Sequence, residues 1–229
     1  MRIGGLQKVS LIDYPGKICA IVFTQGCNFR CPYCHNPELV DPHLFGECES
    51  EDGLMSFLEK RKGKLDAVSI TGGEPTIQQD LIAFLRRLKN IGYFVKIDTN
   101  GSNPEVMHKI IDGKLVDYIA MDIKAPLKKY KTVTQSNIDD NKILQSIEMI
   151  MASGIPYEFR TTLLKSKLTA GDILEIGKII KNARLYVLQS FIALKALDQS
   201  CLSEATYSLE EMEVMKEKLL QDINSVMIR

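Results

Sequence analysis

Short apolar segments alternate along the chain with longer segments that are apolar on one face only. Nearly continuous apolar runs of this length are typical of strands that are covered on both faces. The short segments predict six strands: Ile18–Phe23, Ala67–Ile70, Tyr93–Ile97, Val116–Met121, Tyr157–Leu163 and Leu185–Leu188. Between them, apolar residues recur at helical spacing and predict amphipathic helices. The stripes are Leu81, Phe84, Leu85 and Leu88, then Ile143, Ile147, Ile150 and Met151, and more weakly Met212, Met215 and Leu219.

The alternation of strands and helices predicts an α/β fold. Six β-then-α units of roughly thirty residues indicate a parallel sheet with right-handed crossovers. A full barrel has about eight such units, so we expect a partial (β/α)6 TIM-like barrel. Val9–Ile12, followed by the turn residues Asp13–Gly16, predicts a short strand before the barrel. We therefore expect one domain with an N-terminal β extension over 1–17, a partial barrel over 18–191 and a C-terminal helical segment over 192–229.

Charge and hydropathy exclude several classes of protein. The chain has 29 Lys and Arg against 29 Asp and Glu among its 229 residues. This balance argues against general nucleic-acid binding, because no excess of positive charge is available to neutralise phosphates. No apolar run approaches the roughly 18 residues that a membrane span needs, and the N-terminus lacks the apolar core of a signal peptide. We expect a cytoplasmic protein that binds neither nucleic acid nor membranes.

The cysteines are unevenly distributed. Three of the six, Cys27, Cys31 and Cys34, lie within eight residues, and the others are scattered. In a chain from a reducing compartment such a group indicates metal binding or catalysis before disulfides. The spacing C-x₃-C-x₂-C places three thiolates on one tight loop after the first barrel strand. There they can hold three corners of an iron–sulfur cube and leave the fourth metal open.

The remaining cysteines and the histidines carry weaker signals. With His35, the cysteine loop also offers a Cys₃His set for a closed zinc site. Adjacent Cys34 and His35 would chelate one ion awkwardly, and no second ligand pair follows. Cys19 is expected in the core, and His43 and His108 on the surface. Cys48 and Cys201 have no functional interpretation.

Polar residues also follow the later strands. Gly72, Gly73 and Glu74 come directly after the second barrel strand. Two glycines let a ligand approach the backbone closely, and a carboxylate suits a bound ammonium group. In β/α barrels the chemistry lies at the carboxyl ends of the strands. The residues that end the next four strands are Asp98 and Thr99, Asp122 and Lys124, Arg160, and Gln189.

The loop C-x₃-C-x-aromatic-C, with Gly-Gly-Glu-Pro after the second strand, resembles the motifs of the radical S-adenosylmethionine (SAM) superfamily. The resemblance sharpens to activating enzymes of glycyl-radical proteins through Cys-His-Asn at 34–36, Asp-Thr-Asn-Gly at 98–101 and Asp-x-Lys at 122–124. Its most specific form is to the activating proteins of anaerobic ribonucleoside-triphosphate reductase, through segments 10–16, 22–27 and 31–39.

This resemblance implies two cofactors: one 4Fe–4S cluster, held by Cys27, Cys31 and Cys34, and SAM on its open iron. It also implies a monovalent cation near the SAM carboxylate. Gln189 stands where related activases often carry His. The implied cofactor-binding residues are Gly72, Gly73 and Glu74 for the SAM amino group, Tyr33 for adenine, Asp122 and Lys124 for the ribose or carboxylate region, Arg160 for SAM or the cluster, Asp98 with Thr99 for the cation, and His35 and Gln189 at the rim.

The resemblance implies a reaction as well. Flavodoxin or ferredoxin would reduce the cluster, and cleavage of SAM would give methionine and a 5′-deoxyadenosyl radical. That radical would take a Cα hydrogen from a glycine of a partner enzyme, expected to be the large subunit of anaerobic ribonucleotide reductase. The chemistry belongs to the cofactors, so no side chain is predicted as catalytic.

Three other interpretations stay open at this point. The first is an activating enzyme of another glycyl-radical enzyme. The chain also fits a small-molecule radical SAM enzyme similar to the 7-carboxy-7-deazaguanine synthases, although those usually have an altered cluster-loop spacing. A non-enzymatic zinc or iron–sulfur module would leave Gly72–Pro75 and the polar strand ends unexplained.

Overall fold

One sheet of eight strands organises the chain, and the computed structural model describes all 229 residues. The strands stand side by side in chain order. Strand β1 (Ile3–Ser10) runs antiparallel to β2 (Cys19–Thr24), and every later pair is parallel. The later strands are β3 (Ala67–Gly72), β4 (Phe94–Thr99), β5 (Tyr118–Asp122), β6 (Tyr157–Leu163), β7 (Tyr186–Ser190) and β8 (Val226–Ile228). Since β1 and β8 each pair with one neighbour only, the barrel is open, as predicted.

Eight helices connect the strands. They are α1 (Pro37–Val40), α2 (Glu51–Arg61), α3 (Leu81–Ile91), α4 (Pro104–Asp112), α5 (Leu127–Thr134), α6 (Asp140–Ala152), α7 (Ala170–Ile179) and α8 (Leu209–Leu219). The apolar stripes predicted for α3, α6 and α8 are buried, except that Met151 is only partly covered. Gly92 ends α3 in the left-handed conformation, with φ of 100°, which glycine adopts without strain. No helix is both long enough and apolar enough to cross a membrane.

Two sequence predictions about the ends of the chain are wrong. The first strand was expected over Val9–Ile12 but spans Ile3–Ser10, because an edge strand with partly exposed faces has no continuous apolar run. The segment 192–229 was expected to be helical, yet it ends in β8. This strand has three residues and only one neighbour, β7, so its hydrophobic pattern is too short to recognise.

The side chains of the parallel strands alternate between the helices and the barrel interior. Most apolar residues pack in one cluster of 51 buried side chains on the helix side. A second cluster of five residues fills the amino end of the interior: Tyr14, Cys19, Ile21, Ala67 and Tyr118. Tyr14 comes from the turn before β2, and its ring lies 5.8 Å from that of Tyr118. This turn therefore closes the amino end of the barrel, and Cys19 is a core residue as predicted. His43 and His108 are exposed, also as predicted.

Candidate active site

A cavity of about 230 Å³ opens at the carboxyl ends of the strands. All fourteen residues predicted for metal or cofactor binding line it: Cys27, Cys31, Cys34, Tyr33, His35, Gly72, Gly73, Glu74, Asp98, Thr99, Asp122, Lys124, Arg160 and Gln189. The remaining lining residues are Phe29, Asn36, Val40, Thr71, Asn100 and Thr162. Parallel strands bring their carboxyl ends to one edge, which is why residues distant in sequence meet here. The individual roles of the fourteen stay predictions.

Hydrogen bonds of the backbone and of the Arg30 side chain hold the cysteine loop after β2 in place. Gly26 N–H donates to the Leu39 carbonyl at 2.8 Å, and Arg30 N–H donates to the Thr134 carbonyl at 2.8 Å. The Arg30 guanidinium Nη1 donates to the carbonyls of Cys27 at 2.6 Å and Phe29 at 2.8 Å. These bonds tie the loop to α1 and α5 and satisfy carbonyls that the tight turn leaves free. Arg30 was not among the predicted site residues.

The three thiols lie in the cavity wall, and none forms a disulfide. Burial raises the pKa of Cys27 to about 12 and that of Cys31 to about 11, and it also raises the pKa of Cys34. Thiols of this kind ionise when a metal supplies the opposing charge.

The arrangement of donors discriminates between the two metal interpretations. No three His, Cys, Asp or Glu side chains are placed to ligate a single metal ion. A mononuclear zinc site needs that convergence, whereas an iron–sulfur cube takes each thiolate on a different iron. Three thiols spread over one wall of an open cavity therefore fit the cluster better than zinc.

His35 lies in the cavity lining, and its ring contacts the loop after β7. Its ring stacks on Phe191 with 5.0 Å between centroids, and Nε2 lies 3.0 Å from the Ile192 carbonyl oxygen. These contacts join the cysteine loop to the loop after β7. The Cys₃His alternative requires the same ring to turn inward, so the structure disfavours it.

The glycines after β3 meet the cysteine loop backbone to backbone. Gly73 N–H donates to the Thr24 carbonyl and Glu74 N–H to the Gly26 carbonyl, both at 2.8 Å. Gly72 has φ of +111°, and a Cβ at that position would lie 2.5 Å from Thr24 N. Glycine is thus required here by the protein's own packing, in addition to the close ligand approach that the sequence suggested.

The Glu74 carboxylate joins the loops after β3 and β4. Its side chain is buried, and Oε1 accepts from Thr76 N–H at 3.0 Å, from the Thr76 hydroxyl and from the Thr99 hydroxyl at 2.8 Å. Oε2 accepts from Asn100 N–H at 2.7 Å and keeps a lone pair for one further donor. Burial raises the pKa of Glu74 despite these bonds. Its predicted contact with the SAM amino group has room only at Oε2.

A network of buried charges borders the cavity, with Arg160 at its centre. Arg160 donates from Nε to Asp122 at 2.8 Å and from Nη1 to Asp98 at 3.2 Å. Lys124 Nζ lies 3.0 Å from the second oxygen of Asp122, and Lys96 Nζ pairs with the second oxygen of Asp98. Burial would raise the pKa of both carboxyls, but the neighbouring cations outweigh it and hold both below their usual value.

This network is positive overall, since three cationic side chains face two carboxylates. Lys96 was not predicted as a site residue, although its position in an apolar strand, two residues before Asp98, was a usable signal. Two cavity groups also have capacity to bind a ligand. The Tyr33 hydroxyl is buried without a hydrogen-bond partner. Asn100, also missed, donates to Asn28 at 2.9 Å and lies 4.0 Å from the Cys27 sulfur.

Comparison with known proteins identifies the class. The sequence model of the Radical SAM superfamily matches residues 21–180, well over half of the chain. The chain belongs to the radical SAM superfamily. It is an enzyme of that superfamily, whose members use a 4Fe–4S cluster and SAM, and the cysteine loop and cavity described above fit both.

Within the superfamily, the chain is similar to activating enzymes. The chain is 36% identical over 98% of its length to a protein of Methanocaldococcus jannaschii named as a candidate glycyl-radical enzyme activating enzyme, and covers 90% of it. It is 33% identical over 80% of its length to the pyruvate formate-lyase-activating enzyme of Clostridium pasteurianum, and covers 77% of that protein. The fold is similar to that of Streptococcus suis SuiB bound to SAM, with a TM-score of 0.66 and 14% identity over 90% of this chain and 51% of that one.

Proposed function

We propose that the chain generates a glycyl radical on a partner enzyme, and that the partner is the large subunit of an anaerobic ribonucleoside-triphosphate reductase. The observation that carries the proposal is one cavity whose wall contains both the three cysteines and the charged residues around Arg160. The relatives named as activating enzymes support the glycyl-radical class.

The residues of the cavity divide into three tasks. Cys27, Cys31 and Cys34 would hold the cluster. A bound cluster and SAM would supply one-electron cleavage of SAM and, through it, removal of one hydrogen atom from the glycine Cα of the partner. The net positive charge around Arg160 suits the carboxylate of SAM. The unpartnered Tyr33 hydroxyl would offer a hydrogen bond to the adenine.

The choice of partner rests on a part of the sequence resemblance that reaches the cavity. Segment 31–39 contributes Cys31, Tyr33 and Cys34 to the lining. Segment 10–16, by contrast, lies at the closed amino end of the barrel, where Tyr14 packs on Tyr118. That segment supports the family resemblance and lies outside the cavity lining. The proposal includes flavodoxin or ferredoxin as the one-electron donor and the cytoplasm as the location.

The test is a radical assay with purified partners. The protein is reconstituted anaerobically with iron and sulfide, supplied with SAM and reduced flavodoxin, and mixed with the reductase large subunit or with pyruvate formate-lyase. We expect the electron paramagnetic resonance signal of a glycyl radical with the reductase only, and none with the Cys31→Ala variant. A signal with pyruvate formate-lyase alone would reassign the partner. If neither enzyme gives a glycyl-radical signal while SAM is cleaved, radical transfer to these enzymes is refuted and a small-molecule substrate is favoured.

A further inference from the structure

The carboxylates that the sequence resemblance assigns to a monovalent cation are already paired with cationic side chains. Lys96 and Arg160 contact one oxygen each of Asp98, and Arg160 and Lys124 contact one oxygen each of Asp122. The Thr99 hydroxyl donates to Glu74 at 2.8 Å and accepts from Gly101 N–H at 3.1 Å. The groups present therefore do not fit a site for a separate sodium or potassium ion.

We propose that the Lys96 ammonium group takes the place of that cation, so that SAM binding by this chain is independent of Na⁺ and K⁺. The inference rests on the proposed SAM site in the same cavity. It assigns a positioning function to Lys96, which neither the sequence motifs nor the comparisons include.

The position of Lys96 supports a permanent rather than an exchangeable charge. It precedes Asp98 by two residues on β4, so both side chains point into the barrel. Its side chain is 4% exposed, and that of Asp98 is 14% exposed. Because the Lys96 ammonium group is covalently attached to β4, it stays beside Asp98 at any salt concentration, whereas a dissolved cation can dissociate.

The charges around the Lys96 ammonium group disfavour the binding of another cation. Lys96, Arg160 and Lys124 already face Asp98 and Asp122, and a further cation would stand among three positive side chains. A third acid, Glu158, lies 3.9 Å from the guanidinium of Arg160. Its carboxylate, however, is engaged by the Arg229 guanidinium, at 2.9 and 2.8 Å, and by the Tyr118 hydroxyl at 3.2 Å.

The experiment compares cations as bulk salts. Binding of radiolabelled SAM to the reconstituted protein is measured by equilibrium dialysis in potassium, sodium or tetramethylammonium chloride at equal ionic strength. We expect dissociation constants for the unmodified protein that agree within roughly twofold. In Lys96→Met, which opens space beside Asp98, we expect about tenfold weaker binding in tetramethylammonium and recovery in potassium or sodium. Lys96→Arg should behave like the unmodified protein.

A matched control and a second measurement separate this function from a structural one. Lys89 also pairs with a carboxylate, at 2.7 Å from both oxygens of Asp117, but Asp117, unlike Asp98, does not line the cavity. Lys89→Met should gain no cation dependence. Sodium-23 NMR in the presence of SAM should show line broadening with Lys96→Met and none with the unmodified protein, whatever the activity of either.

Each outcome decides the inference. Binding by the unmodified protein that is more than about twofold tighter in potassium than in tetramethylammonium would overturn it. So would full, cation-independent SAM affinity in Lys96→Met. If SAM binds equally in all salts but no partner acquires a radical, the proposed function fails and this inference stands. If radical forms only in potassium or sodium, the function stands and this inference fails.

Discussion

A Cβ atom built on Gly73 would lie 1.9 Å from the carbonyl oxygen of Gly26. The same carbonyl accepts the N–H of Glu74 at 2.8 Å, so the end of β3 and the start of the cysteine loop are bonded where no side chain fits. The obstacle is backbone, which cannot swing away as the end of a flexible side chain can. The cysteine loop and the Gly-Gly-Glu segment are therefore one structural unit.

Gly73→Ala should displace the cysteine loop. We expect the free energy of unfolding to fall by about 1–3 kcal/mol, as for other forced overpacking, and cluster incorporation to fall with it. Denaturant unfolding and iron content after reconstitution measure the two effects. Gly46→Ala is the control, since no atom lies within 4 Å of its added Cβ. A Gly73→Ala protein with full iron content would contradict the close contact.

Cys31→Ala should abolish cluster binding, because only three cysteines line the cavity and each is needed for one iron. Iron and sulfide content and the visible absorption of the reconstituted protein provide the measurement. Cys48→Ala is the matched control, since Cys48 is exposed and lies outside the cavity wall. Equal iron content in the two variants would remove Cys31 from the ligand set.

Glu74→Gln should weaken both the loop and SAM binding. An amide nitrogen in place of one carboxylate oxygen sets a donor against either Asn100 N–H or the donors from Thr76 and Thr99. A buried donor without an acceptor costs about 1–3 kcal/mol, which denaturant unfolding detects. Glu59→Gln, on the exposed face of α2, should change stability by less than about 0.5 kcal/mol. Weaker SAM binding with unchanged stability would instead show that the carboxylate serves only the ligand.

Asp172 makes stability depend on pH at the start of α7. It accepts from Thr169 N–H at 2.7 Å and from Lys129 at 2.6 Å. Burial raises the pKa of Asp172, but these donors outweigh it and leave the pKa below 3.8. The stabilisation is therefore present above that pH and is lost as pH falls through the folded-state pKa.

Asp172→Asn tests this dependence. It should lower the free energy of unfolding by about 1–2 kcal/mol at neutral pH, in line with the loss of a capping interaction. The difference from the unmodified protein should shrink at about pH 3. Urea unfolding at both values measures it. A difference that is the same at both would assign the effect to packing rather than to charge.

The part of the fold that the sequence predicts is the part with regular periodicity. Strands covered on both faces and helices such as α3 repeat their apolar residues over enough positions to be recognised. Strand β8, with three residues, and β1, at the sheet edge, do not. The C-terminal segment was assigned to helix for this reason.

The residues of the candidate site were likewise predicted only in part. The carboxyl-end rule and the cysteine spacing bring fourteen predicted residues to one cavity. Arg30 and Asn100 were missed because their partners, backbone carbonyls of a folded loop and the distant Asn28, are brought to them only by the folded chain. Lys96 was missed although its partner Asp98 is two residues away on the same strand. Lys96 also bears on the expected monovalent cation, because its ammonium group pairs with Asp98, the residue that the resemblance assigns to that cation.

The central claim is that this chain cleaves SAM by one-electron reduction. The most direct measurement is the anaerobic yield of 5′-deoxyadenosine and methionine from the reconstituted protein with SAM and dithionite. We expect both products to form in equal amounts with the unmodified protein and neither to form with Cys31→Ala. No 5′-deoxyadenosine from a protein that retains an intact, reducible cluster and binds SAM would contradict it.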